Sequence, residues 1–134
     1  MKKIALFLLV VFCLGLTGCS KDAEVNAFIT ENHAVIDEIV KKIDANPSED
    51  GVDEAQKAFD AKKAGLKAKW DAIKDARGAQ VSSDVQKKLN DSVTADMKML
   101  TDVQMKHSQK LATDGDAMNK FVKLVQAYSE IIKP

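Results

Sequence analysis

The sequence has little of what small disulfide-rich scaffolds and loop-rich β folds are made from. Its 134 residues include two Cys, two Pro and six Gly, and aromatic residues make up 5%. Two cysteines are too few for a disulfide framework, and so little Pro and Gly is atypical of β architectures. An excess of charge is also missing, because 20 basic residues balance 20 acidic ones. We therefore expect no electrostatic binding of nucleic acid, and the 46% hydrophobic content indicates one folded domain rather than a disordered chain.

Only one long apolar run occurs, and it lies near the amino terminus. The run extends from Ile4 to Leu16 and follows the basic Lys2 and Lys3. It is shorter than the ~20 residues that a transmembrane helix needs. Its length and its flanks therefore predict a secretory signal peptide over residues 1–18 rather than a permanent membrane span.

Leu16-Thr17-Gly18-Cys19, at the end of this run, resembles the lipobox of bacterial lipoprotein precursors. The resemblance implies that a diacylglyceryl group is attached to the Cys19 thiol and that a peptidase cleaves between Gly18 and Cys19. It also implies that the new amino terminus can be acylated in turn, palmitate being a typical chain. Residues 19–20 would then be the lipidated N-terminus.

The predicted cleavage also determines the chemistry of the mature chain. It removes Cys13 with the leader, so a lipidated Cys19 leaves no thiol for a disulfide or a cysteine nucleophile. Without Lys2 and Lys3, 18 basic residues face 20 acidic ones, so attachment to the membrane would rest on the acyl chains. Gram-negative lipoproteins that stay in the inner membrane tend to have aspartate after the cysteine. Ser20 therefore favours the periplasmic face of the outer membrane, if the source is Gram-negative.

The rest of the sequence has the periodicity of amphipathic helices, with apolar residues at steps of three and four. The four stripes are Val25, Phe28/Ile29, Val35/Ile36, Ile39/Val40 and Ile43, with Asn32 as the polar member; Val52, Ala55, Phe59, Leu66, Trp70, Ile73 and Ala76; Val85, Leu89, Val93, Met97, Leu100, Val103, His107 and Leu111; and Met118, Phe121/Val122, Val125, Tyr128 and Ile131/Ile132. They predict an all-α helical bundle over residues 21–134, in which Trp70 and Tyr128 lie in the core or at its edge.

Short segments rich in capping residues separate the first three stripes. Asn46 is a candidate N-cap for the second helix, because Glu49 lies three residues later at capping-box spacing. Gly78 is a candidate left-handed residue at the end of that helix. Ser83 and Gln86 have capping-box spacing again, so we expect a third helix to begin there.

Two glycines fall inside the second predicted helix. Gly51 weakens its first turn, so the boundary there is uncertain by a few residues. Gly65 costs about 1 kcal/mol of helix propensity relative to Ala. Alternatively, Gly65 marks the close approach of a neighbouring helix.

The last two stripes leave two alternatives open, because the apolar phase continues from Leu111 to Met118 through the breaker-rich segment that contains Gly115. One helix over residues 83–132 would span ~75 Å, whereas the first two helices span ~35 to 40 Å. Half of such a helix would need a second copy to bury against. We therefore favour a break near Gly115 and an antiparallel up-down bundle of four helices, or three if the last two are continuous.

Sequence signatures of enzymes and cofactor sites are absent. No C-x-x-C-H, H-E-x-x-H, G-x-S-x-G or P-loop pattern occurs. The Glu-x-x-His motif of di-iron bundles is also missing, since Thr30 and Gln104 stand three residues before His33 and His107. The sequence predicts no catalytic residues and no resident cofactor.

Met97, Met99, Met105 and His107 form the strongest candidate metal cluster, because thioethers and imidazole suit Cu(I). Residues two apart on a helix diverge, so these side chains cannot chelate from one regular face. Methionine is also ordinary filler of a helical core. We expect core packing, with copper as a minor alternative and noncovalent haem on His33, His107 or a methionine as a lesser one.

The segment between Cys19 and the first helix is short and lacks a Ser/Gly/Pro tether, so the bundle should stand close to the membrane. Up-down topology would place the Gly78 connection and Pro134 toward the lipid, and the Asn46 and Gly115 connections away from it. We expect a noncatalytic envelope lipoprotein, a membrane-proximal interaction or structural module that binds an envelope protein or itself. The alternative is a periplasmic ligand- or metal-binding bundle.

Overall fold

A computed structural model describes residues 20–76 and 80–133, and these residues form helices and no strands. The helices are α1 (Asp22–Ala45), α2 (Glu49–Ile73), α3 (Ser83–Lys106), α4 (Ser108–Thr113) and α5 (Ala117–Ile131). The prediction of an all-α helical bundle is confirmed. The predicted leader with Cys19, Gly78 and Pro134 lie outside the described residues.

Contacts near the ends of α1 give the directions of its two neighbours. Phe28 near the start of α1 packs against Trp70 near the end of α2, with ring centroids 5.3 Å apart, so these helices are antiparallel. Asp44 near the end of α1 accepts a 2.8 Å hydrogen bond from Lys106 at the end of α3, so α1 and α3 are parallel.

The helix α5 completes the bundle on the side of α2. The rings of Phe59 and Tyr128 pack edge-on with their centroids 6.5 Å apart, and Trp70 Nε1 donates a hydrogen bond to the carbonyl of Lys133. The helices α2 and α5 are therefore parallel. The four long helices, α1, α2, α3 and α5, therefore alternate in direction along the sequence, as expected for an up-down bundle. Because α2 and α3 both pack against α1 rather than against each other, they occupy diagonal corners of the bundle.

The predicted stripes supply most of the core. Its fully buried large side chains are Phe28, Ile36, Ile39, Ile43, Phe59, Leu66, Leu100, Leu111, Phe121, Leu124 and Tyr128. The fourth stripe is centred differently from the prediction, because α5 faces α2 through Ala117, Phe121 and Leu124. The expectation that Val122 lies in the core is therefore wrong, and this side chain is 38% exposed.

The turn between α1 and α2 begins the second helix later than the sequence indicated. Ser48 is the N-cap, and its Oγ accepts from the backbone N–H of Gly51 at 3.3 Å. Asn46 is the C-cap of α1, so its prediction as an N-cap is wrong by two residues. Both residues are good caps, and the serine hydroxyl is the one at the right distance from a free N–H of the first turn.

The other two boundaries also differ in detail. The helix α2 ends at Ile73, earlier than the predicted end at Arg77-Gly78. The N-cap of α3 is Ser82 rather than Ser83, and its Oγ accepts from the N–H of Val85 at 3.4 Å.

The break near Gly115 decides between the two alternatives for the last stripes. Gly115 has φ +50°, a left-handed conformation that ends α4 and turns the chain into α5. A shorter interruption at His107 separates α3 from α4. The continuous helix over residues 83–132 is therefore wrong, and a one-and-a-half-turn helix precedes the predicted break.

Candidate functional site

The first residues of α1 are fastened to the connection between α2 and α3. The backbone N–H of Lys21 donates to the carbonyl of Gln80 at 2.7 Å, and the N–H of Ser82 donates to Asp22 Oδ1 at 2.8 Å. This backbone hydrogen bond from Ser82 lowers the pKa of the Asp22 carboxyl. The chain at residue 21 is therefore held at a defined place on the bundle and is not a free tail.

The carboxyl-terminal residues meet the same end of the bundle. Trp70 Nε1 donates to the carbonyl of Lys133 at 2.8 Å, and Lys21 Nζ donates to the carbonyl of Ala72 at 3.1 Å. Residue 20, both described flanks of the α2–α3 connection, and Lys133 therefore share one end, which we call the anchored end. The turns at Asn46 and Gly115 lie at the opposite end, which we call the far end.

The far end is held by an ion-pair cluster at the first turn of α2. The ammonium of Lys120 lies 2.7 Å from Glu49 Oε1 and 2.8 Å from Asp53 Oδ2. The N–H of Asp116 also donates to Glu49 Oε2 at 3.3 Å. The hydrogen bond from Lys120, and then that from Asp116, lowers the pKa of Glu49.

A cavity of about 250 Å³ opens at the anchored end, between α2 and α3. Its walls expose about as much polar as apolar surface. The lining residues are Val25, Trp70, Ile73, Ala76, Val81 and Leu89, together with Lys74, Gln86 and Asn90. This combination of surfaces is typical of sites for small amphipathic molecules.

A buried polar layer crosses the middle of the bundle and consists of Asn32, Asp96 and Tyr128, one residue from each of α1, α3 and α5. Asn32 is 1% exposed and Asp96 is fully buried. Asn32 Nδ2 donates to Asp96 Oδ2 at 2.7 Å and to Tyr128 Oη at 2.8 Å. His33 extends the layer to the surface, with its Nδ1 lying 2.7 Å from Asp96 Oδ1.

Most, but not all, of the buried polar groups in this layer have a hydrogen-bond partner. Both Asp96 oxygens have a partner, as a buried carboxylate requires, and the 56% exposed side chain of His33 connects one of them to solvent. Asn32 Oδ1 has no hydrogen-bond partner, which costs about 1–3 kcal/mol. Burial raises the pKa of Tyr128 to about 12, so its hydroxyl is neutral at physiological pH.

The sequence analysis identified Asn32 as the polar member of its stripe, but it missed Asp96. The available signal was spacing, because Asp96 lies three residues after Val93 and four before Leu100. Met97, the apolar residue next to it, fits the same stripe, so the hydrophobic pattern predicts Met97 rather than Asp96 in the core. Met97 is only partly buried, whereas the aspartate lies inside.

The candidate copper ligands do not converge. Met105 is 62% exposed, while Met97 and Met99 pack partly buried against the core. His107 Nε2 lies 2.6 Å from Asp44 Oδ1, and His33 pairs with Asp96 elsewhere along α1, so the two imidazoles do not face each other. No group of three His, Cys, Asp or Glu side chains that could hold a metal occurs within residues 20–76 and 80–133.

Hydropathy and comparison with known proteins add two findings. None of the helices in the described part of the chain combines the length and apolar character needed to cross a bilayer. Comparisons with protein-family models, curated proteins and solved structures give no significant match. A function for this chain is therefore inferred from its residues and their geometry.

Proposed function

We propose that the chain is a noncatalytic bacterial envelope lipoprotein, anchored through acyl chains on Cys19, whose bundle acts as a membrane-proximal interaction or structural module. One observation carries the proposal beyond the lipobox. Only Ser20 separates Cys19 from Lys21, whose backbone N–H is bonded to Gln80. A lipid on Cys19 would thus be attached almost directly to a rigid helical end.

This attachment would orient the bundle. The anchored end would face the bilayer, and the turns at Asn46 and Gly115 would face away from it. Electrostatic attraction to lipid headgroups would not determine this orientation, because basic residues at the anchored end form local ion pairs. Lys21 pairs with Glu24 at 3.1 Å, and Lys133 pairs with Glu130. The acyl chains would supply the attachment, and the far end would be open to an envelope protein or a second copy.

Location follows from the same resemblance. In a Gram-negative source Ser20 would favour transfer to the outer membrane, with the bundle on the periplasmic face.

The two cysteines provide a matched pair for testing the anchor. We expect Cys19→Ser to abolish lipid attachment and leave the leader on the chain, and Cys13→Ser to yield the same lipidated product as the natural sequence, because Cys13 leaves with the leader. Intact mass spectrometry of protein purified from bacterial membranes measures both. A mature chain with a free thiol at Cys19, or identical products from the two variants, would refute the anchor.

Orientation requires a separate experiment. A single cysteine placed at Gln80 on the anchored end and, separately, at Ala45 on the far end would each carry a fluorophore, since both positions are exposed and a lipidated Cys19 does not react. Quenchers attached to lipid tails should reduce the emission at Gln80 more than at Ala45. Equal quenching would contradict the orientation while leaving the lipid attachment untouched.

The alternative function, a periplasmic ligand-binding bundle, is supported by the cavity beside Trp70. Trp70 is the chain's single tryptophan, so its fluorescence reports on this cavity. A saturable change with small amphipathic compounds would favour the alternative, and stoichiometric copper in metal analysis would favour its metal-binding form. Unchanged fluorescence together with metal-free protein would favour the interaction module.

A further inference from the structure

The buried polar layer can hold either of two hydrogen-bond arrangements, depending on one proton. We propose that protonation of Asp96 turns the Asn32 side-chain amide over, so that the layer is a proton-dependent switch between α1, α3 and α5. The proposal rests on the hydrogen-bonding capacity of three buried side chains. It does not depend on the lipid at Cys19.

The arrangement observed is the one that a charged Asp96 requires. A carboxylate only accepts hydrogen bonds, so Asn32 must present its Nδ2 group to Asp96 Oδ2. The same nitrogen donates to Tyr128 Oη. As a result, Asn32 Oδ1 is left without a donor, and the amide offers the proton of the Tyr128 hydroxyl no acceptor.

A neutral Asp96 favours the reverse arrangement. One proton taken from solvent onto Oδ2 converts this oxygen from an acceptor into a donor. Turning the amide by 180° would place Asn32 Oδ1 where Nδ2 now lies, 2.7 Å from Asp96 Oδ2 and 2.8 Å from Tyr128 Oη. The oxygen would then accept from both hydroxyl groups. Asn32 Oδ1 thus replaces Nδ2 at both contacts, the direction of each hydrogen bond is reversed, and Nδ2 moves to the position that the unpartnered Oδ1 now occupies.

Asp96 is surrounded by side chains from the neighbouring helices. From α1, His33 Nδ1 lies against the other carboxylate oxygen, and its charged form favours a charged Asp96. From α5, the Tyr128 hydroxyl stands across Asn32. From α2, the ring of Phe59 lies beside Tyr128, and the ammonium of Lys63 stands over that ring, 5.9 Å from its centroid.

The switch has a structural readout because its members lie on different helices. Asn32 belongs to α1 and its partners belong to α3 and α5, so reversing the amide changes the hydrogen bonds that join the three helices. The exposed imidazole of His33 brings the layer into contact with solvent protons.

Side-chain NMR of the full mature protein in detergent micelles tests the proposal. With ¹⁵N-labelled asparagine, the Asn32 amide is assigned through its proximity to the Tyr128 ring and followed from pH ~7 to ~3, around the reference range for an aspartate. We expect the two amide protons to shift upfield together as they leave their oxygen partners, with the same midpoint as the Asp96 carboxyl carbon. Titration of the Asp96 carboxyl with a stationary Asn32 amide would overturn the switch.

Three variants sharpen this test. Asp96→Asn should hold the Asn32 amide in its acid arrangement at every pH, because an amide N–H can replace the acid O–H as donor. His33→Gln should move the midpoint to higher pH, since it removes a cation that favours the carboxylate. Asp91→Asn, the same change at an exposed position of α3, should leave the midpoint unchanged. A midpoint insensitive to His33→Gln contradicts the proposal even if Asp96→Asn does not fold.

Discussion

Gly51 and Gly65 lie in the same helix, α2, in opposite surroundings. A Cβ on Gly51 would lie 1.7 Å from the backbone carbonyl oxygen of Asn46, which cannot move without opening the α1–α2 turn. A Cβ on Gly65 would meet only Glu31 Oε1, at an ordinary contact distance of 3.8 Å. Close approach of a neighbouring helix was one of the two explanations for Gly65, and it does not apply there. The glycine that lies against another segment's backbone is Gly51.

These surroundings predict opposite effects of the same substitution. We expect Gly51→Ala to lower the free energy of unfolding by about 2 kcal/mol or more, because a backbone clash cannot relax cheaply. We expect Gly65→Ala to raise it by about 1 kcal/mol through helix propensity. Urea denaturation followed by circular dichroism measures both changes, and a shift of the same sign in both variants would contradict the explanation.

Asp96 should be worth far more to stability than an exposed aspartate of the same helix. Asp96→Ala leaves the Asn32 amide without its buried acceptor, and we expect a loss of about 2–4 kcal/mol. The matched control is Asp91→Ala, whose partner Lys87 lies 3.6 Å away on the surface and for which we expect a change within about 0.5 kcal/mol. Chemical denaturation at neutral pH provides the comparison, and equal losses would mean that the polar layer stabilises nothing.

At the scale of the helices, hydrophobic spacing predicted the helices and the core stripes, because burial of one face dominates the pattern of each segment. Gly115 likewise predicted the break before α5. The observed N-caps lie one or two residues from the predicted ones, because each boundary contains several neighbouring residues that can cap a helix, such as Asn46 and Ser48. Which one does so depends on the path of the turn.

The polar layer could not be predicted in the same way. Asn32 and Asp96 are far apart in the sequence and become partners only because α1 and α3 pack against each other. No local pattern reports the pairing of two helices. The burial of Leu124 similarly follows from how α5 lies against α2.

The ion-pair cluster that joins α2 to the α4–α5 turn predicts part of the acid sensitivity. Because the folded-state pKa of Glu49 is below its ordinary value of 4.5, its contribution is present above that pH and is lost as the pH falls toward the lower folded value. We expect Glu49→Gln to reduce the loss of stability on acidification below pH ~4.5. Unfolding midpoints across this range measure the effect.

The control for this prediction is Glu38→Gln, a change at an exposed position of α1. It should leave the pH dependence unchanged. A curve for Glu49→Gln that overlays that of the natural sequence would show that the Lys120 contact is not formed in solution.

At the scale of the whole molecule, the described residues share one core, and a lipidated Cys19 would leave the mature chain without a free thiol. No disulfide would then contribute to its stability. We expect the thermal unfolding midpoint to be the same with and without a reducing agent, and to be independent of protein concentration if no second copy binds. Differential scanning calorimetry in detergent measures both, and a lower midpoint under reducing conditions would reveal a disulfide between unlipidated chains.

The opposite directions of α1 and α5 have a practical consequence, because they bring residue 20 and Lys133 to the same end of the bundle. An affinity tag fused after Lys133 would emerge beside the acyl chains and compete with the bilayer for space. A short epitope inserted into the turn at Gly115 would instead project from the opposite pole. Experiments that measure antibody accessibility on intact spheroplasts or vesicles should therefore use an internal epitope.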